Sequence, residues 1–174
     1  IFLSTKQRLN SGATIISCIE GTRALLVEVQ ALVAKSNFGV PERKVSGVDY
    51  NRVTMIIAVL RKRIGILIDG YDIFVNVVGG VKVEEPAADL GIAIAIVSSF
   101  KNKEISNDTV FLGELGLGGE VRGVNQFDTR IKEVEKLGFK KVIFPQDNDT
   151  DVSGSKLLQM YEVSSLREAI DKTW

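Results

Sequence analysis

The run from Pro86 to Phe100, PAADLGIAIAIVSSF, constrains the fold more than any other stretch of the chain. Its Ile-Ala-Ile-Ala-Ile-Val core alternates, so periodicity alone also permits a strand. Its length and its opening proline favour a helix, because the missing proline N–H costs nothing in a first helical turn. A helix apolar all round is buried on most sides. Glu84 and Glu85 precede it, where the positive end of a helix dipole favours anions. Upstream, Val77 to Val83 reads as the end of a strand followed by a glycine break. The mouth of this helix is the place to look for a site.

The rest of the composition bounds what that site can be. At 174 residues the chain suits one domain, residues 1–174, with a sizeable core. The hydrophobic fraction of 45% and charged fraction of 25% are those of a globular protein. Net charge is zero, which excludes a uniformly basic coat for nucleic acid but not a local basic face. The single cysteine, Cys18, cannot form an internal disulfide and reads as a small core residue. Histidine is absent, which removes Ser-His-Asp and Cys-His mechanisms and nearly every zinc site. Catalysis would need Lys, Asp, Glu or Tyr to move protons. No apolar run reaches the ~18 residues of a membrane span, and no signal peptide is visible. The expectation is a cytoplasmic protein without a membrane partner. The chain opens on Ile1 rather than Met, which reads as a piece cut from something longer.

Along the chain, Gly21 to Ala34 predicts a long strand, and residues 35–49 carry loop chemistry. Val53, Ile56, Ile57 and Leu60 give helical spacing over Asn51 to Arg63, with Asp49 or Asn51 as cap. Gly65 to Asp69 predicts a short strand or turn, Ile73 to Val78 a strand, and Thr109 to Leu112 another. Phe127 to Leu137 predicts an amphipathic helix ended by Gly138. Lys140 to Phe144 predicts a strand stopped by Pro145, then a polar loop from Gln146 to Ser155. A short helix around Lys156 to Met160, a strand at Tyr161 to Val163 and a last helix complete the set. That helix opens Ser165-Leu166-Arg167-Glu168, a capping-box pattern. Strands first and mixed units later give one α+β or α/β domain.

Three clusters invite chemical readings. Gly113 to Gly119, GELGLGG, lacks the Lys and Ser/Thr of a phosphate loop and the third glycine of a dinucleotide loop; it reads as a tight hairpin or bulge. Glu84, Glu85 and Asp89 read as helix capping and solvation, with a metal site as the sharper alternative. Arg43, Lys44, Arg52, Arg61, Lys62 and Arg63 form a locally basic stretch: a solvated face, or a surface for phosphate backbone.

Taken in order, several segments resemble one family. They are IFLS at 1–4, EGTRALLVEVQALV at 20–33 and FGVPERKVSGVDYNRV at 38–53. GGVKVEEPAADLGIAIAIVSSF at 79–100, FLGELGLGGEVRGV at 111–124 and LGFKKVIFP at 137–145 follow. The chain is similar to the C-terminal domain of the RadA (Sms) family of bacterial DNA repair proteins. That resemblance implies an α+β fold like the proteolytic domain of Lon proteases, of the ribosomal protein S5 domain 2-like type. Lon enzymes use a Ser–Lys dyad, with the serine after a proline in a GPSAG-type motif. Pro86 matches that proline, so Ala87 stands in the nucleophile's place, Ala88 matches the next alanine and Asp89 replaces the glycine. Without a gap from Gly113 to Pro145, the lysine's place falls on Asp128. Ser98 and Ser99 lie about three turns further along the helix, too far to substitute.

The resemblance therefore implies a pseudo-protease: a homohexameric scaffold that supports an ATPase tier and helps to grip DNA in recombination. It implies no cofactor in this chain, with ATP, Mg and Zn confined to zinc-binding and ATPase domains upstream. Implied partners are DNA, copies of itself, its own ATPase domain and the bacterial recombinase. Arg43, Lys44, Arg52 and Lys82 are the expected DNA-binding residues, since they lie nearest the 38–53 loop and the helix mouth. The alternatives are a protein-interaction module that touches no DNA and a serine–lysine peptidase. Asp89 is expected either to cap the helix or to pair with a basic residue at a subunit contact.

Overall fold

A computed structural model describes residues 10–37, 39–148 and 157–174. The segment 1–4, Phe38, the 149–155 part of the polar loop and Lys156 lie outside the described residues.

The first elements of the described residues are a hairpin of β1 (Ala13–Glu20) and β2 (Arg23–Lys35), paired antiparallel from Ala13↔Gln30 to Glu20↔Arg23. β2 fulfils the long-strand expectation. β1 gave no alternating signal because its first six residues are all buried, as in a strand covered on both faces. The loop expected at residues 35–49 contains a short strand instead, β3 (Arg43–Ser46), paired parallel to β4 (Tyr71–Val77). Its basic residues hid a sheet edge, where charged side chains are tolerated because one side faces water.

Between them lies α1 (Tyr50–Val59), extended by a wider turn over Leu60–Ile64 that ends at left-handed Gly65. Asp49 caps it by accepting the Arg52 N–H at 2.8 Å. A tight turn at Pro86–Ala88 leads into α2 (Asp89–Lys101), where every residue from Asp89 to Ser98 is buried. Each fully buried Ile or Leu of α2 is worth roughly 1.5–3 kcal/mol. Gly91 is required by closeness: a Cβ there would lie 2.2 Å from Ile16 Cγ2 on β1.

β5 (Thr109–Phe111) follows, then a small hairpin of β6 (Glu114–Leu115) and β7 (Val121–Arg122), as expected of the glycine cluster. α3 (Phe127–Lys136), β8 (Lys141–Pro145), β9 (Gln159–Val163) and α4 (Leu166–Thr173) complete the chain. The short helix expected around Lys156–Met160 is not formed by its described part. Gln159 and Met160 belong to β9, held in parallel register by Lys141↔Gln159 and Val142↔Met160, so long-range pairing overrides local preference. The capping box at α4 is shifted by one residue. Ser165 Oγ accepts the Glu168 N–H, but the Glu168 carboxylate takes the N–H of Ser164.

The main sheet has seven strands in the order β3-β4-β2-β1-β5-β8-β9. The β1–β2–β4 part is antiparallel; β5, β8 and β9 join parallel to β1. This is one mixed domain of strands and helices, compatible with the α+β expectation. α1, α2 and α4 share the larger core on one face, with Ile16, Val27, Phe111 and Ile143. α3 shares the smaller core on the other face, with Ile15, Leu26, Val142 and Phe144. No helix of the described residues is long and apolar enough to cross a membrane.

Candidate functional site

The helix mouth is built by a chain reversal. β4 ends at Val77, and left-handed Gly79 and Gly80 turn the backbone. Val83 then bonds to the Gly47 carbonyl at 2.7 Å, and Glu85 enters the Pro86 turn in an extended conformation. The turn is sewn to the strand after β5. Gly113 N–H donates to the Ala87 carbonyl at 3.0 Å, and Leu90 N–H to the Gly113 carbonyl at 3.1 Å. Ala87 is buried, its methyl packed in the α3-side core with Leu112, Val124 and Phe127. Asp128 is exposed in the first turn of α3, where an anion suits the helix dipole.

The serines further along α2 are committed to backbone. Ser98 Oγ accepts the Gly12 N–H at 2.8 Å and donates to the Lys103 carbonyl. Ser99 Oγ accepts the Val33 N–H at 2.9 Å.

The acids of the mouth divide into two ion pairs. Asp89 is buried and faces Arg52 of α1 in a two-pronged contact: Nε donates to Oδ1, and Nη2 to Oδ2 at 2.6 Å. Leu115 N–H adds a third donor to Asp89 at 3.0 Å. Burial pushes the Asp89 carboxyl above the usual carboxylate range, opposed first by the Arg52 hydrogen bonds and then by the Leu115 amide. The same hydrogen bonds raise the Arg52 guanidinium further. Asp89 therefore pairs within the chain, with a residue expected to hold DNA.

Glu85 takes the second pair. Arg130 on α3 is fully buried and donates to Glu85 Oε1 at 2.9 Å and Oε2 at 2.6 Å. It also donates to the Ser17 carbonyl, to the Asn125 carbonyl at 2.9 Å and to Asn125 Oδ1 at 2.8 Å. Ile19 N–H donates to Glu85 as well, at 2.9 Å. The pair thus pins β1, the Pro86 turn and α3 together. Sequence reading passed over Arg130. The available signal was its place on the apolar stripe of α3, with Phe127, Ile131 and Val134 at helical spacing around it. Glu84 is exposed and joins neither pair. Among the described residues no group of three potential metal ligands clusters, and Glu85 and Asp89 face different arginines.

Between α1 and the β6–β7 hairpin lies a cleft of about 370 Å³. The Arg52–Asp89 pair sits in its wall, with Glu114, Glu120 and Arg122 from the hairpin and Met55 and Leu117 as apolar lining. Arg122 Nη2 donates to Glu120 Oε1 at 2.6 Å. The hairpin's own amides and Arg122 hold the Glu120 carboxyl below the usual range. The hairpin turns at left-handed Gly119, whose N–H reaches the Gly116 carbonyl at 3.0 Å.

The four expected DNA contacts sit in different surroundings. Arg43 donates to the carbonyls of Glu42 and Tyr71, which ties it to β4. Lys44 is exposed, 3.5 Å from the Glu42 carboxylate and 6.0 Å from the Phe74 ring. Arg52 is closed by Asp89. Lys82 is exposed beyond the far end of β4, whereas Arg43 pairs opposite Ile73 near its start.

Residues 27–148 match the family model described as subunit ChlI of Mg-chelatase. The DNA repair protein RadA of Halalkalibacterium halodurans is 44% identical over 99% of this chain and 38% of its own length. RadA of Bacillus subtilis is 43% identical over 98% of the chain and 37% of its own length. RadA of Streptococcus pneumoniae is 42% identical over the whole chain and 41% of its own length. The chain thus spans about two-fifths of these relatives. It belongs to the family that the ChlI model describes, and over its full length it corresponds to one part of the DNA repair proteins named RadA.

Proposed function

We propose that the chain is a catalytically silent, Lon-like domain of a RadA-type DNA repair protein. It scaffolds a homohexameric ring in the cytoplasm and adds DNA contacts to it. The observation that carries this reading is the state of the helix mouth. A buried methyl stands at Ala87, and arginines close the acids before and after it. Such a mouth is stiff and inert, which suits a part that holds others in place. ATP, Mg and Zn belong, on this reading, to domains outside the chain, and the recombinase is a partner of the assembly. The magnesium-chelatase activity in the family model's description is not carried over, because one fold hosts many functions.

The test is the mass of the chain in solution, with and without DNA, at low and high salt. A hexamer whose DNA binding weakens steeply with salt is expected. A monomer under every condition removes the scaffold role, and salt-independent binding removes the phosphate contact. Casein should stay intact with the native chain and with Ala87→Ser. Cleavage by the native chain would restore the peptidase.

The cleft beside Arg52 favours a second reading, a protein-interaction module without DNA contact. Met55 is 46% exposed and Leu117 66% exposed at its lining. Charge reversal at Arg43 and Lys44 separates the two: DNA retention that survives it favours the module.

A further inference from the structure

The edge of the sheet opposite β3 carries a cationic, aromatic face that the four expected contacts do not include. In parallel register Tyr161 lies opposite Ile143, two residues along from Lys141, so Tyr161 and Lys141 share one face. Lys141 Nζ sits 4.8 Å from the Tyr161 ring centroid. The C-terminal turn of α4 crosses the same face and brings Lys172 Nζ to 5.9 Å from that ring. Lys141 also donates to the Lys172 carbonyl. Two residues on, Trp174 is 38% exposed, its indole N–H anchored on the Glu104 carbonyl at 2.9 Å. Lys103 Nζ lies 5.9 Å from its ring.

Two ammonium groups over one ring repel each other. Burial and the Lys172 charge both lower the Lys141 ammonium, against Asp108. Asp108 is itself engaged by the Ser106 hydroxyl. An anion arriving between the lysines would relieve that repulsion. Two lysines over the Tyr161 ring and a third over the partly exposed Trp174 indole provide the two elements of single-strand recognition, backbone neutralisation and a stacking surface.

We propose that Lys103, Lys141 and Lys172, with Tyr161 and Trp174, form a contact surface for single-stranded nucleic acid. The lysines take backbone phosphates and Trp174 stacks on an unpaired base. This rests on the DNA-contact part of the proposed function but assigns it to a different edge. β3 and β9 are the two ends of the seven-strand order, on the order of 29 Å apart at about 4.8 Å per strand.

The molecule carries its own probe, since Trp174 is its single tryptophan. Oligo-dT is titrated into the 174-residue chain while Trp174 emission and the anisotropy of the labelled oligonucleotide are followed. Emission is expected to be quenched with the same midpoint as the anisotropy, and more strongly by oligo-dT than by a duplex of equal length. Lys141→Gln with Lys172→Gln should lower the salt slope by about 1.4, or about 25-fold in affinity at 0.1 M salt. The Arg pair at the same positions should keep the slope and shows that folding is not at issue. Oligonucleotide binding with unchanged emission and an unchanged slope overturns this surface and leaves DNA contact elsewhere intact. Equal quenching by duplex overturns the single-strand preference. No binding at all removes both this surface and the DNA part of the proposed function.

Discussion

Replacing Arg130 with methionine should unfold this chain more readily than almost any other single change. Its guanidinium is fully buried and makes five hydrogen bonds, two of them to Glu85, whose side chain is only 21% exposed. Arg130→Met leaves that carboxylate with the Ile19 amide alone and strands the Ser17 carbonyl and the Asn125 side chain. Breaking a buried pair from one side costs about 3–5 kcal/mol. For a chain of 174 residues, each kcal/mol lowers Tm by about 2.7 °C, so the loss is about 8–14 °C. Glu85→Met should cost at least as much, because it strands the fully buried Arg130 charge, whereas some water already reaches the carboxylate that Arg130→Met leaves behind. The double variant should recover part of the loss, since neither charge is then left unpaired, with a coupling of about 1–3 kcal/mol. Calorimetry or thermal circular dichroism on the four proteins measures this. If Arg130→Met lowers Tm by less than about 3 °C, or the two losses simply add, the pair is not the clamp described above.

Three further outcomes are expected. Gly91→Ala should cost about 1–3 kcal/mol, because the new methyl meets Ile16 at 2.2 Å; a neutral urea midpoint would show that α2 can slide off β1. The Cys18 thiol is pushed up to about 12 by burial and then by the Glu85 charge, so it should react with a thiol reagent at pH 8 about a thousandfold slower in the native chain than in denaturant. Equal rates would mean that the hairpin opens freely. The Ser164 amide and hydroxyl hold the Glu168 carboxyl below its ordinary value. Its stabilising contribution is therefore complete above the unfolded carboxylate range and is lost as pH falls through the lower folded value. Glu168→Gln should flatten stability between about pH 5 and pH 3, and an unchanged acid limb in urea titrations would refute that.

Sequence reading succeeded where one segment decides its own structure. Pro86 and the length of the apolar run after it favoured a helix and α2 forms there, Asp49 was one of two cap candidates and is the cap, and the glycines from 113 to 119, read as a hairpin or bulge, form a hairpin. It failed where a distant partner decides. β1 lacks alternation because both its faces are covered, β3 is a strand only because β4 lies beside it, and β9 replaces part of a local helix for the same reason. At the mouth, the expectation for Ala87 rested on the resemblance at Pro86 and that for Asp128 on an ungapped register from Gly113. The fate of Asp89 could not be read, because Arg52 stands thirty-seven positions away and only the fold brings them together. Arg130 was legible in principle, as a charge on an apolar stripe, yet its partner Glu85 comes from another element. Lys141, Lys172 and Trp174 gave no local signal, since a parallel pairing and a helix end assemble them.

The position of β1 at the middle of the sheet has a kinetic consequence. Its partner on one side is the adjoining strand, so that hairpin closes locally and early. Its partner on the other side meets it at Ile15↔Val110, and that edge must wait until the chain has been extended past Phe111. At a synthesis rate of about 5–20 residues per second, the wait between completing Lys35 and Phe111 is roughly 4–15 s. During it a buried-type strand stands with its backbone edge unsatisfied. Folding of this domain is therefore gated by a late, long-range closure, and its nascent form is the species most in need of protection from pairing with the wrong neighbour.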